Sequence, residues 1–509
     1  MQAVHIRLHA EEWVKLLIGN MKDREIFVIL IIVAYLARLL LIPFYILTPY
    51  IPHDFYVYVG PGKCMAEGKF PRYDCASWFA EKTDRPSVYG PLFSSLMMVW
   101  YSIFGDYDFV MLKVLVSVFD VLNVLLMYMI GRNFFSKKKS FFIALLYCFS
   151  FIVLYNSAVL GNDEVIAMAF VLSAVYFLMK GKFKLSALSW AASIMFKTVG
   201  IIIFPAICYY VYRRYGIKKG LIYFVFSTVF FLLIALPFYL AGGLNGAVYH
   251  IIGSPTALQG SSEPYSSTMS FYNIFRYVTN KNINSLAVPL MAVSYIATLA
   301  IILLKKLKNP EMEFFRNAAL LWIVILAFGS LLVGTYVYYF FPFLIIFLGF
   351  GIKKDVLITK QFATGAFLIF ISLLVYSVVY REGLVEYSFT DRILLLLAMA
   401  LAPLGAYNLF HSFGANYRIL WSVIILATIM SVEVYAAPLL VFPLKSISGM
   451  IDTNKFTAIN ELYGDHIQGR TDVFLAYGIF YGGSAVLLWI CLCSLYYTLL
   501  KERKIYTEG

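Results

Sequence analysis

The chain reads as an all-α polytopic integral membrane protein of about 13–14 transmembrane helices, with interfacial helices in its first outer loop. Three observations predict this. Hydrophobic residues make up 61% of the 509 positions and charged residues 14%, a balance too apolar for a soluble chain of several domains. Runs such as 26–47, 221–240, 367–380 and 423–441 approach or reach the roughly 20 apolar residues that cross a bilayer as helix. They do not show the short alternating segments of a membrane barrel. Finally, Lys and Arg cluster between the runs, as they do in short cytoplasmic loops, so the net charge of +13 is that of a membrane protein and not of a nucleic-acid binder.

These basic clusters order the elements. The N-terminal stretch carries no cleavable signal pattern, and Lys15, Lys22 and Arg24 flank the first run, which keeps that end inside. Helix 25–47 then exits, leaving 48–87 outside. The stretch 89–104 is apolar but short, opens with Gly90-Pro91 and leads to Gly105-Asp106 instead of a basic cluster. A full crossing there would move Lys137 to Lys139 outside, so it is predicted to be re-entrant or interfacial.

Crossings at 109–131, 140–156 and 164–180 follow, with the turn 156–163 outside. Residues 184–212 are too long for one crossing, yet both ends are basic. Two short helices meeting near Lys197 to Gly200 satisfy both ends. Later crossings fall at 219–241, 285–304, 317–333, 336–351, 361–380, 391–410, 418–440 and 475–499. They keep 213–219, 305–308, 353–354 and 501–504 inside. The chain divides at residue 215 into a module 1–215 and a second transmembrane module 216–509, whose outer loops are 242–283 and 441–474.

The cysteines form no metal framework. Cys148, Cys208, Cys491 and Cys493 fall in apolar segments, whereas Cys64 and Cys75 share the first outer loop, where an oxidising compartment could join them.

The few carboxylates carry the chemistry. Asp54 follows the first helix, in Ile51-Pro52-His53-Asp54-Phe55-Tyr56-Val57-Tyr58, and Asp163-Glu164 lie in a later outer turn. Both come out on one side of the membrane. Capping of a helix N-terminus is the alternative reading for each. Lys197 is an ionisable residue deep in an apolar stretch, a functional candidate by default, with snorkelling to the interface as the alternative. Arg38 in the first helix is a second cation of this kind. Asp120 and Glu433 are explained as well by helix pairing as by substrate contact. Tyr336, Tyr338 and Tyr339 start a helix at the outer face, where aromatic planes could line a sugar or prenyl groove, although Tyr belts are ordinary at membrane interfaces. Loop 242–283 is a candidate cover for that groove.

An Asp just after the first membrane helix, Tyr58 four residues on, Gly68 with Pro71, Tyr89-Gly90-Pro91-Leu92 and Gly161-Asn162-Asp163-Glu164 together resemble the GT-C class of polyprenyl-phosphate-sugar-dependent glycosyltransferases. Within that class the chain is most similar to the mannosyltransferases of the GPI-anchor and related families. The likeness covers roughly residues 25–215 and continues weakly through the Tyr-rich start of the 336–351 helix, and it implies a GT-C fold with the first module catalytic and the second facing the variable acceptor. It implies that Asp54 is the general base and that Lys197 meets the carrier phosphate, with Arg38 a second phosphate candidate. It also assigns Tyr58, Tyr89, Asn162, Asp163, Glu164, Tyr336 and Tyr339 to substrate contact, Asp163 being the reserve base.

The chemistry agrees with one base. A sugar leaving a lipid phosphate departs as an anion that needs no protonation, so a single carboxylate suffices where a glycosidase needs two. The sequence departs from the family at Gly60-Pro61-Gly62, which should interrupt the helix after the Asp. It also lacks a second acid beside Asp54, since His53 precedes and Phe55 follows, so the first loop does not support a divalent metal.

The partners implied are a polyprenyl- or dolichyl-phosphate hexose donor, a lipid- or protein-linked glycan acceptor and the membrane lipids. The active side is extracytoplasmic, or lumenal in a eukaryote. A flippase for a lipid-linked saccharide is the alternative; it predicts charges through the midplane and internal repeats, which the sequence does not clearly show. An oligosaccharyltransferase is disfavoured by the lack of a Trp-Trp-Asp motif and of a large soluble C-terminal domain. A soluble nucleotide-sugar enzyme is disfavoured by the lack of a Gly-rich phosphate loop after a strand.

Overall fold

The computed structural model describes residues 20–42, 53–72, 89–105, 109–242, 286–328, 334–351, 360–379, 388–412, 417–440 and 471–501. Every regular element among them is helical. Among the described residues five helices are long and apolar enough to cross a bilayer, or six if one bent pair counts as a span, as a polytopic membrane protein requires. In chain order the first module holds α1 (Asp23–Leu39), α2 (His53–Cys64), α3 (Pro91–Phe104), α4 (Phe109–Gly131), α5 (Lys137–Cys148), α6 (Phe151–Leu154), α7 (Glu164–Met179), α8 (Phe183–Phe196) and α9 (Gly200–Tyr215). The second holds α10 (Ile217–Gly242), α11 (Ala287–Leu304), α12 (Pro310–Phe328), α13 (Phe341–Gly351), α14 (Lys360–Val379), α15 (Phe389–Ser412), α16 (Tyr417–Leu440) and α17 (Thr471–Lys501).

Some of the expected crossings differ from the helices observed. The expected crossing 140–156 is broken: α5 and the segment Phe151–Leu160 meet at 56°. Ser150, extended at the break, caps neither piece with its side chain but donates to the Leu146 carbonyl. The π-helical turn Tyr155–Leu160 then ends at Gly161, whose φ of +70° is a left-handed position that suits glycine. The expected helix 336–351 is likewise split into a 3₁₀ turn, Gly334–Tyr339, and α13. Helix α12 starts at Pro310, earlier than the hydropathy places it, because Glu311 and Glu313 in its first turn bind arginines of α9.

One less obvious reading holds, and a second is matched in helix length alone. Residues 184–212 form two helices, α8 and α9, separated by Lys197 to Val199. The stretch 89–104 contains α3, which at 14 residues is only about 21 Å long, short of the ~30 Å hydrocarbon core.

Gly60-Pro61-Gly62 does not interrupt α2, which runs through it to Cys64 and into a π-helical turn, Met65–Lys69. Its glycine is needed for packing instead. A Cβ on Gly62 would sit 2.4 Å from the Met97 carbonyl carbon, so glycine lets α2 lie against the α3 backbone. Cys64, at the end of α2, is disulfide-bonded; Cys148, Cys208, Cys491 and Cys493 are free, and Cys75 lies outside the described residues. The loops 242–283 and 441–474 fall almost wholly outside them as well.

The bundle has two chemically distinct ends. At one, Phe134 packs on Phe315, Phe183 on Tyr215, and Arg213 bonds the Leu307 carbonyl, which gathers the basic turns. Helices α7 and α8 run from the other end to this one and back as a hairpin, which sets Asp163 beside Lys197 there.

Candidate functional site

The site is built on the turn Gly161 to Glu164. Asn162 donates its backbone N–H to the Asn156 carbonyl at 2.9 Å, and its side-chain amide donates to Asn156 Oδ1 at 3.0 Å. Tyr58 of α2 donates to Asn162 Oδ1 at 3.4 Å. From α4 the fully buried Lys113 donates to the Val159 carbonyl at 2.5 Å, at the C-terminal end of the π-helical turn, where a cation meets unpaired carbonyls. Its stem also presses on the turn: a Cβ on Gly161 would come within 3.0 Å of Lys113 Cγ.

This turn delivers two buried carboxylates to one ammonium. Lys197 Nζ donates to Glu164 Oε1 at 2.6 Å and to Asp163 Oδ1 at 3.1 Å. Asp163 precedes α7 but makes no capping hydrogen bond, and Lys197 turns inward with its side chain only 18% exposed instead of snorkelling. The backbone explains the direction: Lys197 ends α8 in an extended conformation, φ −154° and ψ 139°, which aims the chain into the break before α9. Aromatic faces flank the ammonium, with Tyr89 at 5.8 Å and Tyr336 at 5.7 Å from ring centroid to Nζ. Tyr89 is brought there by the Gly90 N–H, which donates to the Phe196 carbonyl at 3.2 Å, and it packs edge-on against Tyr58.

One cation against two carboxylates leaves the cluster with a formal charge of −1. Burial and the neighbouring Glu164 charge push the Asp163 carboxyl up to about 7, against the pull of Lys197; this group lies in the turn, outside the spanning helices. Burial disfavours the Lys197 charge, but Asp163 and Glu164 outweigh it and raise the lysine above its ordinary value.

Three buried polar atoms here lack a hydrogen-bond partner: Asp163 Oδ2, Glu164 Oε2 and the Tyr339 hydroxyl. Tyr339 is electrostatically coupled to both carboxylates and stacks on Trp322, ring centroids 4.6 Å apart. Polar atoms orphaned together away from water mark a place where a ligand or water supplies the missing bonds.

The two walls of the site are joined by Asn123. Its amide nitrogen donates to the Val165 carbonyl at 3.0 Å, one residue past Glu164, and to the Tyr338 hydroxyl at 3.1 Å, between Tyr336 and Tyr339. Tyr338 also meets Tyr147 at 2.6 Å, and Tyr147 donates to Asp120 Oδ1 at 3.3 Å. Behind the 3₁₀ turn, Phe151, Ile152, Val337, Phe341, Ile369 and Met430 are among the lining of a small apolar cavity of about 30 Å³.

Of the residues proposed from sequence, Tyr58, Tyr89, Asn162, Asp163, Glu164, Lys197, Tyr336 and Tyr339 come together. Arg38 does not. Its guanidinium is fully buried and donates twice to Asp120 Oδ2, at 2.7 and 2.9 Å, and also to the Ala34 carbonyl and the Cys148 sulfur. A lone cation in that interior would be costly, and the pairing offered as one reading of Asp120 accounts for both residues. Asp54 falls in the first turn of α2, but its side chain lies outside the described residues, as does that of Glu433 in α16.

Sequence reasoning passed over Asn123, Lys113 and Trp322. Lys113 carries the same signal that singled out Lys197, a charge inside an apolar run. Among the described residues no group of three or more His, Cys, Asp or Glu is arranged to hold a metal ion. Comparison with protein-family models and with curated proteins finds no match.

Proposed function

We propose that the protein is a membrane-embedded inverting glycosyltransferase of the GT-C type, moving a hexose, mannose in the first instance, from a polyprenyl- or dolichyl-phosphate carrier to a glycan acceptor on the extracytoplasmic side. The observation that carries this reading is the convergence of two carboxylates, one ammonium and tyrosine faces on a spot with three unpartnered polar atoms. Sugar hydroxyls donate to carboxylate oxygens and accept from a phenol, and the apolar face of a pyranose packs on aromatic rings.

In this reading Asp54 takes the proton from the acceptor hydroxyl as it attacks the anomeric carbon, and the carrier leaves as phosphate. Glu164 and Asp163 hold hydroxyls. The net negative cluster disfavours a phosphate directly on Lys197 as it now sits. The lysine serves the leaving group only after exchanging a carboxylate for it, and until then it keeps the two acids together. The test is Asp54→Asn in membranes given radiolabelled dolichyl-phosphate mannose. Donor binding should persist while turnover falls by about 10²–10⁴; unchanged turnover would move the base to Asp163.

The helix breaks on both sides of the site, at Ser150 and at Lys197 to Val199, favour a second reading, a flippase for a lipid-linked saccharide, since transporters place substrates at discontinuous helices. That reading predicts movement of the lipid between leaflets with no sugar transferred.

A further inference from the structure

The end of the bundle opposite the site carries a second feature, which does not depend on what the site does. Three basic turns meet there. Arg213, at the end of α9, donates to the Leu307 carbonyl at 3.0 Å and pairs with Glu313 at 3.1 Å, Arg214 pairs with Glu311 at 2.5 Å, and Arg316 donates to the Lys305 carbonyl at 2.7 Å. The α9–α10 turn is thus tied to the α11–α12 turn. Phe183 packs on Tyr215 with centroids 5.0 Å apart and brings the α7–α8 turn alongside.

The acids at this junction, Glu311 and Glu313, are already engaged by arginines. Lys182, Lys218, Lys219, Lys305, Lys306 and Lys308 are all exposed, and none forms an ion pair among the described residues. Apolar side chains adjoin these lysines. Ile217 precedes Lys218 and is 63% exposed, and Leu304 precedes Lys305 and is 79% exposed.

We propose that this basic end is a binding surface for anionic phospholipid headgroups, the lysines taking the phosphates and the outward flanks of α10 and α11 taking the acyl chains. Charge complementarity and the apolar flanks together select a lipid over a soluble polyanion. A nucleic acid or acidic peptide would meet the lysines but leave Ile217 and Leu304 in water, whereas a lipid covers both. Each lysine near an anionic surface adds a modest attraction, and several acting on one leaflet amount to a strong preference.

The test uses the full chain in mild detergent, titrated with phosphatidylglycerol or phosphatidylcholine of identical acyl chains and read by native mass spectrometry. The wild type should retain phosphatidylglycerol preferentially, the K218Q/K219Q/K305Q/K306Q variant should lose about tenfold or more of that preference, and the matching Lys→Arg variant should keep it. Equal retention of the two lipids by the wild type would overturn the proposal. So would a preference that survives in the Gln variant, or displacement of the lipid by a single-stranded oligonucleotide at equal charge concentration.

Discussion

Between α1 and α9 the interior holds Arg38, Lys113, Asp120, Asp163 and Glu164, whereas between α14 and α17 the buried polar side chains described are hydroxyls, Ser372, Ser377, Ser422, Ser431 and Thr498. Four of these hydroxyls donate to backbone carbonyls: Ser377 to Leu373 and Thr498 to Ser494 in their own helices, Ser372 to Ala398 and Ser431 to Met399 across to α15. Such groups cost little and allow close helices. A Cβ on Gly405 would come within 2.6 Å of Ile369, so α14 and α15 approach through glycine. Buried charges are different in kind. Each needs a counter-charge and further hydrogen bonds to offset desolvation, and at Asp163 and Glu164 one oxygen of each carboxylate has no hydrogen-bond partner within the described residues.

The comparison breaks first at Arg38. Asp120→Leu leaves a fully buried guanidinium without its counter-ion and should cost about 3–5 kcal/mol, with most recovered in the Arg38→Met/Asp120→Leu double variant. Denaturation of the reconstituted protein measures both. A loss under about 1 kcal/mol in the single variant would mean that the first module is no more dependent on charge pairing than the second.

Next, Gly405→Leu should wedge α14 from α15 and cost about 1–3 kcal/mol in the same denaturation measurement. The smallest effect is that of pH. Asp163, pushed up to about 7 from an ordinary 3.8, binds its proton more tightly folded than unfolded. Its contribution to stability is therefore present at low pH and lost as pH rises towards 7. Thermal unfolding between pH 5 and 8 should show this decline in the wild type and a flatter profile in Asp163→Asn.

Much of the architecture was legible because charge and hydropathy act locally. The basic residues of 184–212 and its length together located the break at Lys197, and the short apolar run after Gly90-Pro91 matched the short α3. The breaks at Ser150 and at the 3₁₀ turn were not legible, because the hydropathy of 140–156 and 336–351 is unbroken and only tertiary contacts interrupt the helices. At the site, residue types announced Asp163, Glu164 and Lys197 as candidates. Their mutual pairing was beyond reach, since Lys197 lies 34 residues from Asp163 and nothing local fixes its direction. Arg38 shows the converse: a buried cation announces that it has a partner but not whether that partner is a substrate or Asp120. Asn123 gave no signal, because a neutral amide bridging two walls is visible only once both walls are placed.

The most direct measurement is hexose transfer from dolichyl-phosphate mannose to native lipid acceptors in proteoliposomes, comparing the wild type with Glu164→Gln. The account predicts transfer by the wild type and a loss of about 10²-fold or more in the variant, whose amide keeps the shape but not the charge that holds Lys197 and sugar hydroxyls. Equal transfer by both proteins would contradict the assignment of this carboxylate cluster as the site. Movement of the lipid between leaflets without transfer by either would contradict the glycosyltransferase reading itself.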